Sequence, residues 1–337
     1  MKIAVISVSD KGNMLASILK EKMDSDSTII KCDLYHKNVK NHFPVLFEEY
    51  DAIIAIMASG ILIRSIAPLV KSKLTDPAII NVDDNGNFAI STLSGHLGGA
   101  NKLTKKVAKL IKATPVITTS TDVNNKLGID VLAKDLYLSI ENSKEILYFN
   151  KAILDNREIS LTVNPNKDFT YLFDYLNNNI SDTNLSLDYS SNINTDEIHV
   201  TFDEHRLILK ERKVVVGIGC RRGKESGKIL DGIKKSFDKL KISPSRINIL
   251  ASAEIKKDEQ GIIELSDILN IPVEFVDMDK LRLFESGDVL KSDFVYSKFG
   301  IYGVCEPSAL IIAGFDSKLI YKKTSYDGVT IAVAVSV

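Results

Sequence analysis

A histidine flanked by glycines is the residue of this sequence best suited to acid–base chemistry. Residues 94–101 read Ser-Gly-His-Leu-Gly-Gly-Ala-Asn, between a predicted strand and a predicted helix. The side chain of His96 titrates near neutral pH and can act as a general base or acid. The glycines let the backbone approach a ligand, and amides at a helix start favour an anion or an oxyanion. The alternative is a tight turn whose histidine caps or packs.

Two further turns follow predicted strands and could line the same site. Residues 57–61 contain Ser59, which could cap a helix, and Gly60, whose N–H could face a ligand. Residues 118–122 read Thr-Thr-Ser-Thr-Asp and offer hydroxyls and one carboxylate. Because the carboxyl ends of parallel strands form the ligand crevice of such sheets, we expect all three turns to lie together. Ordinary helix capping is the alternative for Ser59.

A basic turn follows a buried strand in the last third of the chain. Residues 217–224 read Gly-Ile-Gly-Cys-Arg-Arg-Gly-Lys. Arg221, Arg222 and Lys224 at a helix start would bind a carboxylate or a phosphate, and a solvated helix start is the alternative. The glycines run G-x-G-x-x-x-G and residues 247–252 contain no acid, so the dinucleotide fingerprint is not matched.

A second glycine-interrupted turn, residues 299–309, enters a predicted helix. Cys305 and Glu306 stand at the start of that helix, where either could line a site. A buried cysteine and a first-turn glutamate are the alternatives, because both are common structural features.

The composition is that of a globular protein with two or three domains. The chain has 337 residues, 45% of them hydrophobic and 26% charged, and its net charge of −1 gives no overall attraction to nucleic acid or to an anionic membrane. The three cysteines are far apart, which argues against both a disulfide framework and a zinc site. Since we find neither a signal peptide nor a membrane-spanning run, we expect a cytoplasmic protein.

The pattern of strands and helices predicts an α/β protein of three domains. Residues 1–124 alternate strands and helices, which indicates a mostly parallel sheet, with one hairpin at an Asn-Gly turn. Residues 125–211 are rich in asparagine and predict a small α+β middle domain. Residues 212–337 form a C-terminal α/β domain, whose last apolar run is expected inside its sheet.

These motifs resemble, in order and spacing, those of the cobalt-precorrin-5A hydrolases of anaerobic cobalamin biosynthesis. Residues 58–60, 94–101 and 115–122 are similar to the N-terminal domain of that family, and residues 217–223 and 303–309 to its C-terminal domain. The resemblance covers nearly the whole chain and is weakest in the middle. Ser120 and Ser308 stand where alanine is common in the family.

The resemblance implies a reaction and a substrate. The substrate is a cobalt-bearing corrinoid with a δ-lactone that joins the ring A acetate to carbon 20. Water opens the lactone, and carbon 20 leaves with its methyl group as acetaldehyde, which gives cobalt-precorrin-5B. Cobalt arrives with the substrate, so no cofactor and no metal site of the protein's own are expected.

The resemblance also leads us to assign roles to residues. His96 would activate water or handle the proton of the oxygen freed on carbon 20, and the amides of Gly98 and Gly99 would hold the lactone oxyanion. Arg221, Arg222 and Lys224 would bind peripheral carboxylates. The other predicted substrate-binding residues are Ser59, Gly60, Gly95, Asn101, Thr119, Asp122, Gly219 and Glu306.

Two other functions remain open from the residues alone. One is a corrinoid-binding carrier without catalysis, for which the histidine between glycines is unnecessary. The other is a nucleotide-dependent oxidoreductase, against which the missing ribose-binding acid counts. A homodimer, and hand-over of the product to corrin methyltransferases, are further expectations; nucleic acid and membrane are not expected partners.

Overall fold

The computed structural model describes residues 1–73, 75–179 and 184–337, except for the side chain of Phe294. Over these residues the chain forms two compact units, Met1–Lys126 and Leu127–Val337. The predicted boundary at 124/125 lies close to the junction of the units. The predicted division at 211/212 falls inside the second unit, between its two sheets.

The first unit contains one six-stranded sheet. Its strands are β1 (Lys2–Ser7), β2 (Lys31–His36), β3 (Ala52–Ile56), β4 (Ala78–Val82), β5 (Phe88–Leu93) and β6 (Thr114–Val116), in the order β2-β1-β3-β4-β5-β6. Its helices are α1 (Asp10–Asp24), α2 (Val39–Glu49), α3 (Ser59–Ile66), α4 (Ala100–Ile111) and α5 (Ser120–Val123). Strands β1 to β4 are parallel, which confirms the parallel sheet predicted from the alternation of strands and helices.

Both faces of this sheet are covered by helices. Ile3 and Val5 of β1 pack in one core with α1 and α4, and Ala4 and Ile6 pack in a second core with α2 and α3. A strand buried on both faces reads as a continuous apolar run, as β1 and β3 do. The alternation of the two cores therefore explains why these strands show no polar face in the sequence.

The predicted hairpin is present and reverses the direction of the last two strands. Strands β4 and β5 are antiparallel, and the amide of Gly86 donates to the carbonyl of Asp83 at 2.9 Å in the turn between them. Strand β6 is parallel to β5. The carboxyl ends of β5 and β6 consequently lie at one end of the strands, and the carboxyl ends of β1 to β4 lie at the other.

The second unit begins with a five-stranded sheet. Its strands are β7 (Leu138–Ile140), β8 (Ile159–Val163), β9 (Leu185–Tyr189), β10 (Glu197–Phe202) and β11 (His205–Glu211), in the order β7-β11-β10-β8-β9. The accompanying helices are α6 (Ile129–Asp135), α7 (Ile146–Leu154) and α8 (Thr170–Asn179). The sheet and the helices that accompany it confirm the α+β character predicted for the middle of the chain.

The other sheet of the second unit also has five strands. They are β12 (Val214–Cys220), β13 (Ile249–Ala253), β14 (Val273–Val276), β15 (Lys318–Tyr326) and β16 (Val329–Val335), in the order β14-β13-β12-β16-β15. The helices are α9 (Ser226–Leu240), α10 (Gln260–Leu269), α11 (Met278–Leu283), α12 (Asp293–Phe299) and α13 (Cys305–Ala313). The last strand lies between β12 and β15, as its apolar sequence predicted. No helix among the described residues is long and apolar enough to cross a membrane.

Helix α13 lies unusually close to strand β12. A Cβ atom added to Gly217 would lie 1.8 Å from the carbonyl oxygen of Cys305. Only glycine permits this approach, and Cys305 and Ala309 are buried against the sheet as a result. The glycine of this motif is therefore needed for packing.

Removing the hydroxyl of Ser308 will stabilise the protein. Ser308 is fully buried in α13, and its Oγ has no hydrogen-bond partner among the described residues. Burial of an unpaired hydroxyl is unfavourable, so Ser308→Ala should raise the free energy of unfolding by about 1 kcal/mol. Ser252 is the matched control, because it is equally buried but its Oγ donates to the carbonyl of Ile218 at 2.8 Å. In urea unfolding Ser252→Ala should lower stability, and equal effects of the two variants would contradict the prediction.

Arg246 joins the two sheets of the second unit. Its side chain is completely buried, and its guanidinium donates to the carbonyls of Leu136, Tyr137 and Arg212 at 2.6 to 2.9 Å. It also donates to Asn248 Oδ1 at 2.7 Å. These bonds tie the segment before β7 and the β11–β12 connection to the turn before β13.

Candidate active site

The loop that carries His96 is held in one conformation by its own backbone. It leaves β5 at Leu93 and enters α4 at Ala100. The amides of Ala100 and Asn101 donate to the carbonyls of Ser94 and Gly95 at 3.1 and 3.0 Å. A Cβ on Gly98 would lie 2.3 Å from that of Ser94, so this position requires glycine. The loop is thus a rigid support for the histidine rather than a loose turn.

His96 contacts two neighbouring side chains of the turn after β6. Its Nε2 lies 2.8 Å from Thr121 Oγ1 and 3.3 Å from Asp122 Oδ2. The side chains of His96 and Asp122 are 14% and 20% exposed, so they are sheltered but accessible to a small group. The structure therefore brings together the histidine and the carboxylate that the sequence placed on separate turns.

The carboxylate beside His96 is strongly acidic. The hydrogen bond from His96 is the main reason why the pKa of Asp122 falls from 3.8 to about 2, while burial opposes this shift. Hydrogen bonds from Lys105 and Asn101 lower the pKa further. Asp122 is consequently ionised at neutral pH and can fix the orientation of the imidazole and stabilise its protonated form.

Asn101 positions this carboxylate. Its side-chain amide donates to Asp122 Oδ2 at 2.7 Å and to Thr119 Oγ1 at 3.0 Å, and its Oδ1 accepts from Ser91 Oγ at 2.6 Å. Asn101 is only 4% exposed. In this structure its side chain joins β5, α4 and the segment after β6, and its contact with substrate stays a prediction.

Sequence reasoning missed two members of the cluster. Lys105 Nζ lies 3.1 Å from Asp122 Oδ1, and Thr121 rather than Thr119 contacts the histidine. Lys105 follows Asn101 by four residues on α4, and this spacing places both on one face of a helix. The spacing of Asn101 and Lys105 indicates that their side chains share a helix face. Nothing in the sequence indicates that Asp122 lies against that face.

The expectation that Ser59 and Gly60 lie with His96 is wrong. Ser59 is the first residue of α3, behind Ala58 as N-cap, and its Oγ donates to Asn81 Oδ1 at 2.5 Å. Because the hairpin reverses β5, the carboxyl end of β3 and the carboxyl end of β5 lie at opposite ends of the sheet. The two ends are on the order of 15 Å apart along the strands. Ser59 and Gly60 as substrate-binding residues would require a separate site.

The basic turn of the second unit is partly neutralised by acids. Arg222 pairs with Asp258 at 2.8 Å and Lys224 with Asp327 at 3.5 Å. Helix α9 begins at Ser226, behind Glu225 as N-cap, and not at Lys224 as predicted. A carboxylate at this position disfavours a nucleotide phosphate at the helix start.

Arg221 is different from its neighbours in this turn. It is exposed, and within residues 1–73, 75–179 and 184–337 it has no carboxylate partner. It therefore remains a candidate for binding a substrate carboxylate, with Arg222 and Lys224 beside it.

Two predicted contacts of the second unit are internal. Gly219 is buried in β12, where its carbonyl accepts from Thr330 Oγ1 at 3.1 Å. Glu306 is 1% exposed, and its two carboxylate oxygens accept the amides of Leu290 and Lys323, each at 2.9 Å. Both residues thus have internal hydrogen-bond partners in this structure, and their contact with substrate stays a prediction.

The carboxylate of Asp122 will titrate far below its ordinary range. Its ¹³C carboxyl resonance in the full chain should have a midpoint near 2, against 3.8 for an unperturbed aspartate. The pairing stabilises the folded state fully above pH 3.8 and is lost as the pH falls through about 2. In His96→Gln the midpoint should rise, because the largest cause of the shift is weakened. A midpoint near 3.8 in the unmodified chain would contradict the geometry.

These features define a multi-sheet α/β protein whose candidate centre is an ion-paired histidine on a glycine-rich loop. In the described part of the chain, no group of three or more His, Cys, Asp or Glu side chains is arranged to hold a metal ion. In the cluster of His96, Thr121 and Asp122, an imidazole lies within hydrogen-bond reach of a hydroxyl and a carboxylate, an arrangement that can hold and move a proton.

Comparison with known proteins places the chain in one family. Residues 41–122 match the family model described as cobalamin synthesis G N-terminal, and residues 214–334 match that described as cobalamin synthesis G C-terminus. The chain is 31% identical to cobalt-precorrin-5A hydrolase of Priestia megaterium, over 93% of this chain and 86% of that protein. It is 33% identical to the "probable cobalt-precorrin-5A hydrolase" of Methanocaldococcus jannaschii, over 99% of both chains.

A solved structure supports the same assignment. A cobalamin biosynthesis protein G homolog from Sulfolobus solfataricus superimposes with a TM-score of 0.64 and 27% identity, covering 100% of this chain and 97% of that one. The chain belongs to the cobalt-precorrin-5A hydrolase family.

Proposed function

We propose that this protein hydrolyses cobalt-precorrin-5A, opening its δ-lactone and releasing acetaldehyde to give cobalt-precorrin-5B. The observation that carries the proposal is the pairing of His96, on its glycine-rich loop, with ionised Asp122 of α5, in a chain that matches relatives of that name over most of its length. A corrinoid is the small-molecule substrate of this family, and its cobalt belongs to the substrate.

The first step is attack of water on the lactone carbonyl. When Nε2 of His96 carries a proton and donates it towards Asp122, Nδ1 is the basic nitrogen of the neutral ring. Nδ1 then accepts a proton from the attacking water while its oxygen bonds to the carbonyl carbon. The ionised Asp122 stabilises the imidazolium that forms.

The negative charge that develops on the carbonyl oxygen of the lactone needs hydrogen-bond donors. The amides of Gly98 and Gly99 belong to the same loop as His96, and no main-chain acceptor for either amide is found in the described residues. One such donor typically contributes about 3 kcal/mol to the transition state. Gly98 is half-buried and Gly99 buried, which makes Gly98 the more accessible of the two.

The second step breaks a carbon–carbon bond. Collapse of the tetrahedral intermediate leaves a carboxylate on ring A and an oxygen on carbon 20. As that oxygen forms a carbonyl, the bond from carbon 20 to the macrocycle breaks and its electron pair stays on the macrocycle. One water is consumed, and acetaldehyde leaves. His96 is the group that transfers the proton at the carbon 20 oxygen.

Peripheral carboxylates of the substrate would be held elsewhere. Arg221, Arg222 and Lys224 form a basic turn, of which Arg221 is the most available. Homodimerisation and hand-over of the product to methyltransferases are further parts of the proposal, as is a cytoplasmic site of action.

The direct test is incubation of the full chain with cobalt-precorrin-5A under anaerobic conditions. We expect one acetaldehyde per corrinoid, and a mass decrease of the corrinoid that corresponds to gain of water and loss of acetaldehyde. Stoichiometric binding without acetaldehyde would instead support a carrier and overturn the proposal.

A further inference from the structure

Residues 290–302 of the second unit expose several large apolar side chains. Four apolar residues, called the aromatic patch here, are partly open to solvent: Leu290, Tyr296, Phe299 and Tyr302, with exposures of 50, 49, 43 and 39%. Tyr296 and Phe299 are three residues apart on α12 and so lie on one side of that helix. Contiguous exposed apolar side chains of this kind mark interaction sites.

The aromatic patch is ordered before any ligand arrives. The rings of Tyr296 and Tyr302 are stacked, with centroids 4.5 Å apart and planes 16° from parallel. The amide of Ser292 donates to the carbonyl of Tyr302 at 2.9 Å, which closes the segment into a loop. A preformed stack loses little conformational freedom on binding.

Buried Glu306 anchors this segment. Its Oε2 accepts the amide of Leu290, where the patch begins, and its Oε1 accepts the amide of Lys323 in β15. The motif around Glu306 therefore contributes to the site indirectly, by fixing the start of the segment to the sheet.

A cation lies beside the stacked rings. Lys291 Nζ lies over the Tyr302 ring, 5.0 Å from its centroid. Lys298 lies in the last turn of α12, next to Phe299 in the sequence. Lys291 and Lys298 thus place two positive charges near the rings, while Asp293 at the start of α12 is the one acidic residue among residues 290–302.

We propose that the aromatic patch binds one face of the corrinoid macrocycle, with Lys291 beside a peripheral carboxylate. This inference rests on the proposed function, which supplies a broad ring system with carboxylates around its rim. Aromatic rings pack against such a face in offset-stacked geometry. Lys291, whose ammonium lies over the Tyr302 ring, complements the negative carboxylates on the rim of the corrinoid.

The test uses calorimetric titration of the full chain with aquacyanocobyrinic acid, a stable corrinoid with free carboxylates. Tyr296→Ala should raise Kd roughly 2- to 10-fold, because one stacked ring is lost. Tyr296→Phe should leave Kd near that of the unmodified chain, since the ring remains. Lys291→Gln should weaken cobyrinic acid but not cobinamide, whose side chains are amides, and the difference should shrink at high salt.

Tyr148 provides a matched control in the same unit. It is 48% exposed and stacked on His205 at 4.1 Å, but it lies outside the patch. Tyr148→Ala should not change Kd. Equal affinities of Tyr296→Ala and the unmodified chain, or equal losses in Tyr296→Ala and Tyr148→Ala, would overturn the inference.

Three results separate this inference from its alternatives. If Tyr296→Ala converts a dimer to a monomer in sedimentation while Kd is unchanged, the patch is a subunit interface and the inference is wrong. If Kd is unchanged while the unmodified chain releases acetaldehyde, the inference fails and the proposed function stands. If the unmodified chain neither binds cobyrinic acid nor releases acetaldehyde, both fail. Since Lys291 is exposed, Lys291→Gln tests the site even if Tyr296→Ala does not fold.

Discussion

His96→Ala will lower kcat/KM for acetaldehyde release by about 10²- to 10⁴-fold, the usual contribution of one general base. The loss should appear in kcat more than in KM, because the imidazole acts on the reacting water and not on the bulk of the substrate. The limb of the pH–rate profile that reports the histidine should vanish as well. Thermal unfolding should change little, since the loop is closed by backbone bonds of Ala100 and Asn101.

His36 is the matched control for this experiment. It also lies beside an aspartate in the first unit, with Nε2 3.2 Å from Asp10 Oδ1, but it is the last residue of β2 and so lies at the opposite end of the strands from His96. His36→Ala should keep nearly full activity. The catalytic assignment of His96 fails if His96→Ala keeps its activity within a factor of three, or if His36→Ala loses as much.

Arg246→Met will cause a large loss of stability in the second unit. The change removes the donors to three carbonyls and leaves Glu211, 3.9 Å away and 4% exposed, without that neighbour. Breaking a buried ion-paired network in this way costs about 3 to 5 kcal/mol. Urea unfolding monitored by circular dichroism should show the corresponding fall in midpoint.

Arg157 shows how much of that loss comes from burial. It lies over the ring of Phe202, as Arg246 lies over that of Tyr171, and pairs with Asp203 at 3.8 Å, but its side chain is 60% exposed. Arg157→Met should cost less than about 1 kcal/mol, because exposed pairs are screened. Similar losses in the two variants would show that burial of Arg246 is not what makes it important.

The fold class was predictable because burial leaves a direct mark on the sequence. Strands β1, β3 and β12 are enclosed on both faces and therefore appear as unbroken apolar runs. The Asn-Gly turn predicted the hairpin of β4 and β5, since that dipeptide favours tight turns. The middle region was harder, although β8 alternates buried and half-buried residues and so carried a strand signal that could have been used.

The composition of the candidate site was predictable only in part. His96 and Asp122 were identified from residue type and position after strands. Which polar side chains would be buried was not predictable, because Asn101 and Glu306 have the same polar groups whether buried or exposed. The structure leaves them 4% and 1% exposed and gives both internal hydrogen-bond partners.

The local sequence therefore determines the conformation of the loop that carries His96. The contacts that close this loop join residues only a few positions apart in the chain. Only the tertiary structure decides what that loop faces. The hairpin reverses β5 and β6 together, so that the ends of these two strands meet at one edge and His96 reaches Asp122, while Ser59 is left at the other. The direction of a strand in a sheet depends on its pairing with strands distant in the chain, and no short motif records that pairing.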